Sequence, residues 1–524
     1  MNRKSKIRRI ARLDHEFLWH PFTQMRDWLR REPILIVTGQ GAVLRDVQGR
    51  EYLDANSSIW TNLHGHNHPR INAAIRRQLN KIAHSSALGL ANEPASLLAE
   101  RLVQAVNPAI YDLRLTIDAS TGNGTRKSKI ENRKLEKVFF SDDGSTALEV
   151  ALKLAYEYAR RTGRSPQPKF LSLQGAYHGD TVGAVALGHI DLFHKTYSGL
   201  LFKTDQVMSP YCYRCPFNRA APERADARRY RKCHWECIGK VEQKFAQKKR
   251  GHSYAAFVFE PLIQGAAGMI PQPHGWLNRA AEIARGYGAQ LIADEVMTGF
   301  GRTGHCSAGF QPAGSGGIPA ARLRRKDAAR RLEACATLFA CHHESVQPDF
   351  LCLAKGLTGG YLPMAATLTT RNVFDAFLGE YEEFKTFFHG HSYTGNQLGA
   401  AAALASLDVL QSAASVRARV QLEKTLQAEL QRLWPLPNVG DIRQVGLIAG
   451  IELVRDWRTR APFDVRERAG IRVCEAMANR GVLTRPIGNV VVLMPPYCTT
   501  PNQARRMVDV LFDAIRLTFG HRKV

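Results

Sequence analysis

Residues 290–304, "QLIADEVMTGFGRTG", and residues 350–363, "FLCLAKGLTGGYLP", share one layout. A short apolar run comes first, then a charged residue, then a glycine-containing turn. The first run ends on Asp294 and Glu295, the second on Lys355. Hiding an ammonium or a carboxylate without a partner is costly. A charge at the mouth of a buried strand therefore needs either water or a counterpart. Taken alone, 350–363 is satisfied by a strand that ends at the surface with the lysine stem reaching solvent.

The surrounding sequence argues for something more. "KVFFSD" (137–142), "KFLSLQG" (169–175) and "YAAFVFEP" (254–261) are further short, nearly all-apolar runs, separated by helical patterns such as "TALEVALKLAYEYAR" (146–160) and "WLNRAAEIARG" (276–286). Runs without polar alternation are buried on both faces, which gives an α/β fold with a mostly parallel central sheet covered by helices. Before it, 34–55 reads as short strands with glycine turns, and 68–84 as a helix with Ile71, Ala74, Ile75, Leu79 and Ile82 on one face. After it, "GAAAALASLDVLQ" (399–411) is helical, "VGLIAGIELV" (445–454) is a strand, and 481–497 suggests another pair of strands. The economical arrangement is a large domain over 86–390 and a smaller α+β domain built from the chain ends, 1–85 and 391–524. Residues 117–136 and 305–337, polar and Gly- or Arg-rich, read as surface insertions.

Composition narrows the function classes. With 44% hydrophobic and 23% charged residues the 524-residue chain is globular, and no apolar run is long enough to cross a bilayer. The basic start, "MNRKSKIRRIARLDHEF", lacks the apolar core of a secretory signal; it reads as a solvated tail, with a weak transit peptide as the alternative, and a cytoplasmic location is expected. The net charge of +25 raises the possibility of a nucleic-acid partner. Part of the excess sits in 218–250, with eleven Lys and Arg against four acids, and in 320–331, without aromatics interleaved in the manner of a stacking platform and without a recognisable binding motif. No nucleic acid and no membrane are expected as partners. A basic binding protein on a degenerate enzyme scaffold is the remote alternative. Cys212-x2-Cys215 and Cys233-x3-Cys237, with His234 close by, have a spacing that could hold zinc. The intervening residues show no pattern that would orient ligands, so reduced thiols and no metal are expected.

Open α/β sheets bind ligands at the carboxyl ends of their strands. There the sequence places Lys355, Asp294, Tyr177 with His178, and Gly144 with Ser145 at a helix start. An amine able to form an imine, a carboxylate for a ring nitrogen, an aromatic face and an anion cradle are together what pyridoxal phosphate needs. The two opening stretches resemble the signature of the class III, fold-type I pyridoxal-phosphate aminotransferases. Further blocks, "WHPFTQM" (19–25), "NLHGHNHP" (62–69), "YHGDTVGAVALG" (177–188), "FFHGHSYTGNQLGAA" (387–401) and "LTRPIG" (483–488), resemble the branch of that family acting in biotin synthesis.

The resemblance implies amination of the 7-keto group of 8-amino-7-oxononanoate, with S-adenosylmethionine or lysine as donor. It makes Lys355 the catalytic, cofactor-carrying lysine, Asp294 the partner of the ring nitrogen, and Gly144 and Ser145 the phosphate loop. Tyr177 lies against ring and substrate. His391 and Ser392 reach the phosphate from the neighbouring subunit of a homodimer. Gly390, Trp60, Ile59, Phe22 and Arg485 belong to the substrate side, with Arg485 on the carboxylate of the keto acid. Phe22 stands where the adenosylmethionine-using enzymes typically have Tyr, and Ile59-Trp60 where they tend to have two tryptophans. Both features resemble the lysine-using branch. Asp294 and Lys355 are also farther apart in sequence than in relatives. Another class III ω-amino-acid aminotransferase is the nearer alternative.

Overall fold

The structure, a computed structural model, describes residues 3–107, 133–247, 253–304 and 337–520. Both expected insertions fall outside these residues, apart from 133–136 and Thr337.

Seven strands build the central sheet. In chain order they are β1 (Leu135–Ser141), β2 (Lys169–Leu173), β3 (Asp205–Val207), β4 (Tyr254–Phe259), β5 (Gln290–Asp294), β6 (Phe350–Leu353) and β7 (Ala365–Thr370). Their spatial order is β1-β7-β6-β5-β4-β2-β3. Neighbours from β6 through β5, β4 and β2 to β3 run parallel, whereas β7 is antiparallel to both β6 and β1. The mostly parallel sheet expected from the unalternated runs is therefore present, with one reversed strand.

Burial on two faces explains those runs. Phe257, Leu291, Leu351 and Leu353 pack into one core with the helix Trp276–Gly286. Their chain neighbours Val258, Ile292, Phe350 and Cys352 pack into another with the helix Gly144–Arg161, through Leu148, Leu152, Ala155 and Ala159. Successive residues of a strand point to opposite faces, so a strand covered on both sides reads as continuously apolar.

The two chain ends meet in a second unit. Ile36–Gln40, Val43–Asp46 and Glu51–Asp54 form an antiparallel sheet whose edge is completed, in parallel, by Val482–Leu483. A separate sheet joins Val439–Val445, Ile448–Asp456, Val490–Leu493 and Pro486–Ile487. The expected pair of strands in 481–497 is thus three short strands shared between two sheets. The helix in 68–84 spans Pro69–Leu79, with Ile71 and Ala74 buried and Leu79 and Ile82 exposed. No single helix among the described residues is long and apolar enough to cross a membrane.

Candidate active site

The parallel strands deliver chemistry to one edge of the sheet. β5 ends on Asp294, β6 is followed by Lys355, β4 by Glu260, β2 by Tyr177 and His178, and β1 by Asp142 and the helix starting at Gly144. All of these line one cavity of about 430 Å³, together with Trp60, Thr61, Gly179, Ala266, Met297 and the stretch from Gly360 to Met364.

Asp294 is buried, and the His178 ring is held against it, Nδ1 to Oδ2, at 2.7 Å. An ionised carboxylate can only accept, so Nδ1 carries the proton. The other carboxylate oxygen accepts the Val296 N–H at 3.0 Å. His178 Nε2 is buried without a partner among the described residues. Two contacts thus fix the direction of the Asp294 carboxylate toward the cavity.

Lys355 has φ +21°, a strained value for a long side chain, and follows Ala354 at φ −157° and ψ −126°. Its Nζ lies 4.8 Å from the centre of the Trp60 ring. Burial holds the amine below the usual lysine range, against the opposing pull of Asp294, Glu260 and Asp180. A larger share of neutral amine is what a group that must add to a carbonyl and move protons requires.

Trp60 reaches the cavity through an unusual turn. Ser57, Ser58, Ile59 and Trp60 have φ of 47°, 47°, 62° and 68°, four left-handed residues in succession. Each costs about 1–2 kcal/mol for an L-residue. Side-chain bonds hold the turn: Ser57 Oγ donates to the Met494 carbonyl at 2.7 Å, and Ser58 Oγ to Asp54 Oδ2 at 2.9 Å.

The helix Gly144–Arg161 points its N-terminus at the cavity. Asp143 caps it by accepting the Thr146 N–H, with Thr146 Oγ1 accepting the Asp143 N–H in return. Close packing leaves no room for side chains here. A Cβ on Gly144 would come within 2.7 Å of Val296 Cγ1, and one on Gly179, at φ +122°, would collide with Ser145 Oγ. Ser145 Oγ accepts the Asp180 N–H at 3.0 Å, and Asp180 Oδ2 accepts the Tyr177 hydroxyl at 2.7 Å.

These features fit a phosphorylated pyridine aldehyde. The glycine-lined helix start offers backbone N–H groups and a dipole to an anion. The anchored carboxylate suits a protonated ring nitrogen, the amine suits the aldehyde, and Tyr177 and Trp60 bring flat faces.

The structure brings together Trp60, Gly144, Ser145, Tyr177, Asp294 and Lys355, and leaves the other expected residues outside the cavity lining. His391 stands at its edge, Nδ1 2.8 Å from Oδ2 of Asp142 in the same chain. Gly390 and Ser392 are exposed, and the Ser392 carbonyl accepts from His84 Nε2 at 2.9 Å. Ile59 faces outward. Arg485 is exposed and donates to the Phe22 carbonyl at 3.4 Å. Phe22 packs edge-on against Phe193, and Phe193 against Tyr177, so an aromatic path joins the cavity to Arg485.

Sequence reasoning missed Glu260 and the anchoring role of His178. Glu260 is buried and held up to about 7 by burial, while its oxygens accept the N–H groups of Gly265 at 2.7 Å and Tyr177 at 3.3 Å. A charged residue closing an apolar strand, the signal that marks Asp294, marks it as well.

The profile described as aminotransferase class-III matches residues 26–312 and 334–515. The adenosylmethionine-8-amino-7-oxononanoate aminotransferase of Geobacter sulfurreducens is 42% identical over 507 residues, covering 97% of each chain. The protein of the same name from Nitratidesulfovibrio vulgaris is 44% identical over 522 residues, covering 99% of this chain and 83% of its own. Among solved structures, the enzyme of that name from Methanocaldococcus jannaschii superposes with a TM-score of 0.80 at 36% identity, over 97% of this chain and 99% of its own. A PLP-bound amine transaminase from an uncultivated Pseudomonas species gives 0.76 at 30% identity, over 96% and 98%. The chain belongs to the class III aminotransferases and is a pyridoxal-phosphate-dependent enzyme.

Proposed function

We propose that the chain aminates the 7-keto group of 8-amino-7-oxononanoate to give 7,8-diaminononanoate, the transamination step of biotin synthesis, with S-adenosylmethionine as amino donor. The observation that carries the chemistry is the Lys355 amine sharing a cavity with the His178-anchored Asp294. The substrate and donor rest on the names of relatives that align over nearly the whole chain.

Pyridoxal phosphate, when bound, supplies the electron sink for the pair left by a broken carbon–hydrogen bond. The residues divide the remaining work. Asp294 keeps the ring nitrogen protonated, and His178 keeps Asp294 in place. Gly144 and Ser145 hold the phosphate. The Lys355 amine would take the proton from the donor carbon and, in the amination of the keto acid, deliver a proton to the carbon that receives the amine. Tyr177 and Trp60 wall the reacting end. Arg485, at the far end of the path through Phe193 and Phe22, pairs with the substrate carboxylate, for which a guanidinium fork is well shaped. A homodimer supplies His391 and Ser392 to the neighbouring phosphate.

A second reading keeps the reaction and changes the donor to lysine, on account of Phe22 and Ile59. Purified holoenzyme given 8-amino-7-oxononanoate with each donor separately, and the diamine measured by mass spectrometry, tests both. Product with adenosylmethionine is expected. Product with lysine alone would overturn the donor, and activity confined to ω-amino acids would overturn the substrate.

A further inference from the structure

Behind the Tyr177 ring, outside the cavity lining, stands His194, a buried residue that the transamination steps leave without a task. Its ring lies nearly parallel to that of Tyr177, with 15° between the planes and 6.2 Å between the centres. We propose that His194 is a positioning residue for the transamination. Its flat face sets the plane of the Tyr177 ring, a role that rests on the proposed use of Tyr177 against cofactor and keto acid.

Tyr177 is tied at both ends. Its hydroxyl donates to Asp180 Oδ2 at 2.7 Å, and its backbone N–H to Glu260 Oε1 at 3.3 Å. Neither tether fixes the ring plane, because rotation of the ring about its long axis leaves both intact and that torsion is broad. The plane is set by what packs on the ring. Phe193 meets it edge-on, at 80° and 6.3 Å, and His194 meets it in offset-parallel fashion. Both geometries are favourable at centre separations of about 4.5–7 Å.

A ring that sets another's plane must itself be held, and three features hold His194. Its Nδ1 accepts the Ile190 N–H at 3.0 Å. A Cβ on Gly188 would collide with the imidazole, so the ring is seated in space that only glycine leaves. The short helical turn Asp191–His194 follows His189, whose N–H donates to the Ala176 carbonyl at 3.1 Å and whose carbonyl accepts the Gly175 N–H at 3.2 Å. The turn is thereby fastened to the strand end that carries Tyr177.

Burial holds the imidazole below the usual histidine range, so the ring packs uncharged. With Nδ1 accepting, Nε2 carries the proton, and it is buried without a partner among the described residues. Asparagine would supply the acceptor for Ile190, and phenylalanine would fill the space, each without that orphaned N–H. Histidine joins the two, an anchored ring with a flat face.

The test is titration of full-length apoenzyme with pyridoxal phosphate, followed by tryptophan fluorescence, in the parent, His194→Ala, Tyr177→Ala and the double variant. His194→Ala is expected to raise the cofactor Kd by about fivefold, the scale of one aromatic pair. In the Tyr177→Ala background the same change is expected to add less than about twofold, because the two residues act as one. His194→Phe, which keeps the flat face, should stay close to the parent, and His194→Asn, which keeps only the acceptor, should match the alanine variant. An equal rise in both backgrounds, no rise in the parent, or rescue by asparagine and not by phenylalanine would overturn the role of His194 alone. Tyr177→Ala with cofactor Kd and keto-acid KM both unchanged would instead remove Tyr177 from the site, and His194 with it.

Discussion

At the scale of single residues, the site works by contrast between anchored and poised groups. Asp294 is pinned by His178 and by the Val296 N–H, so its charge is fixed in place and direction. Among the described residues Lys355 makes no such bond to a carboxylate; it rests over Trp60, and burial shifts its amine toward the neutral form. Asp294→Ala should leave the fold intact and lower kcat by about a hundredfold or more, the usual scale for losing a proton-transfer contribution. Steady-state kinetics at saturating cofactor would show it, and unchanged kcat would remove Asp294 from the chemistry. Arg485 lies outside the cavity lining, beside the Phe22 carbonyl, and the proposed function gives it the distal carboxylate of the keto acid. Arg485→Ala should raise KM for the keto acid by about tenfold to a hundredfold with a smaller effect on kcat, as expected for loss of a charged hydrogen bond. A KM unmoved in that variant would take the arginine out of the binding site.

At the scale of elements, buried carboxylates tie loops to strand ends. Glu295, next to Asp294 and fully buried, accepts the N–H groups of Ala340 at 2.6 Å and Cys341 at 2.8 Å, holding the turn Ala340–Glu344 that leads into β6. Burial raises its carboxyl from 4.5 to about 7. A raised carboxyl binds more protons folded than unfolded, so stability from this group is full below about 4.5 and declines as pH rises to about 7. The decline is roughly 3 kcal/mol. Urea unfolding at pH 5 and pH 8 should therefore show a smaller pH dependence for Glu295→Gln than for the parent. An identical dependence in both would mean Glu295 does not carry the shift.

At the scale of the whole molecule, one exposed apolar surface stands out. Leu79, Ile82, Leu88, Leu90 and Tyr393 are exposed together with the segment carrying His391 and Ser392. His84 joins the two parts, through its hydrogen bond to the Ser392 carbonyl and its contact with the Tyr393 ring. Apolar exposure of this extent fits burial against a second copy. Sedimentation should give twice the chain mass of 58.4 kDa, and variants charged at Leu88 and Leu90 should shift toward monomer and lose activity together. An active monomer would contradict a partner-supplied phosphate contact.

The same scale shows what the sequence makes legible. Strands β4, β5 and β6 are readable because burial on both faces strips them of polar alternation, and Lys355 and Asp294 are readable because each closes such a strand. The reversal of β7 is not readable, since Ala365–Thr370 carries the same apolar pattern in either direction. Nor is the placing of Trp60, which depends on four left-handed residues that no local preference favours. Arg485 and Phe22 are identifiable by resemblance alone, because their proximity joins positions 463 residues apart.

The most direct measurement is to reduce the holoenzyme with borohydride, digest it and locate the pyridoxyl group by mass spectrometry. The account predicts the adduct on the peptide containing Lys355 and its loss in Lys355→Ala. An adduct on another lysine, or retention of a bound, reducible cofactor in that variant, would contradict it.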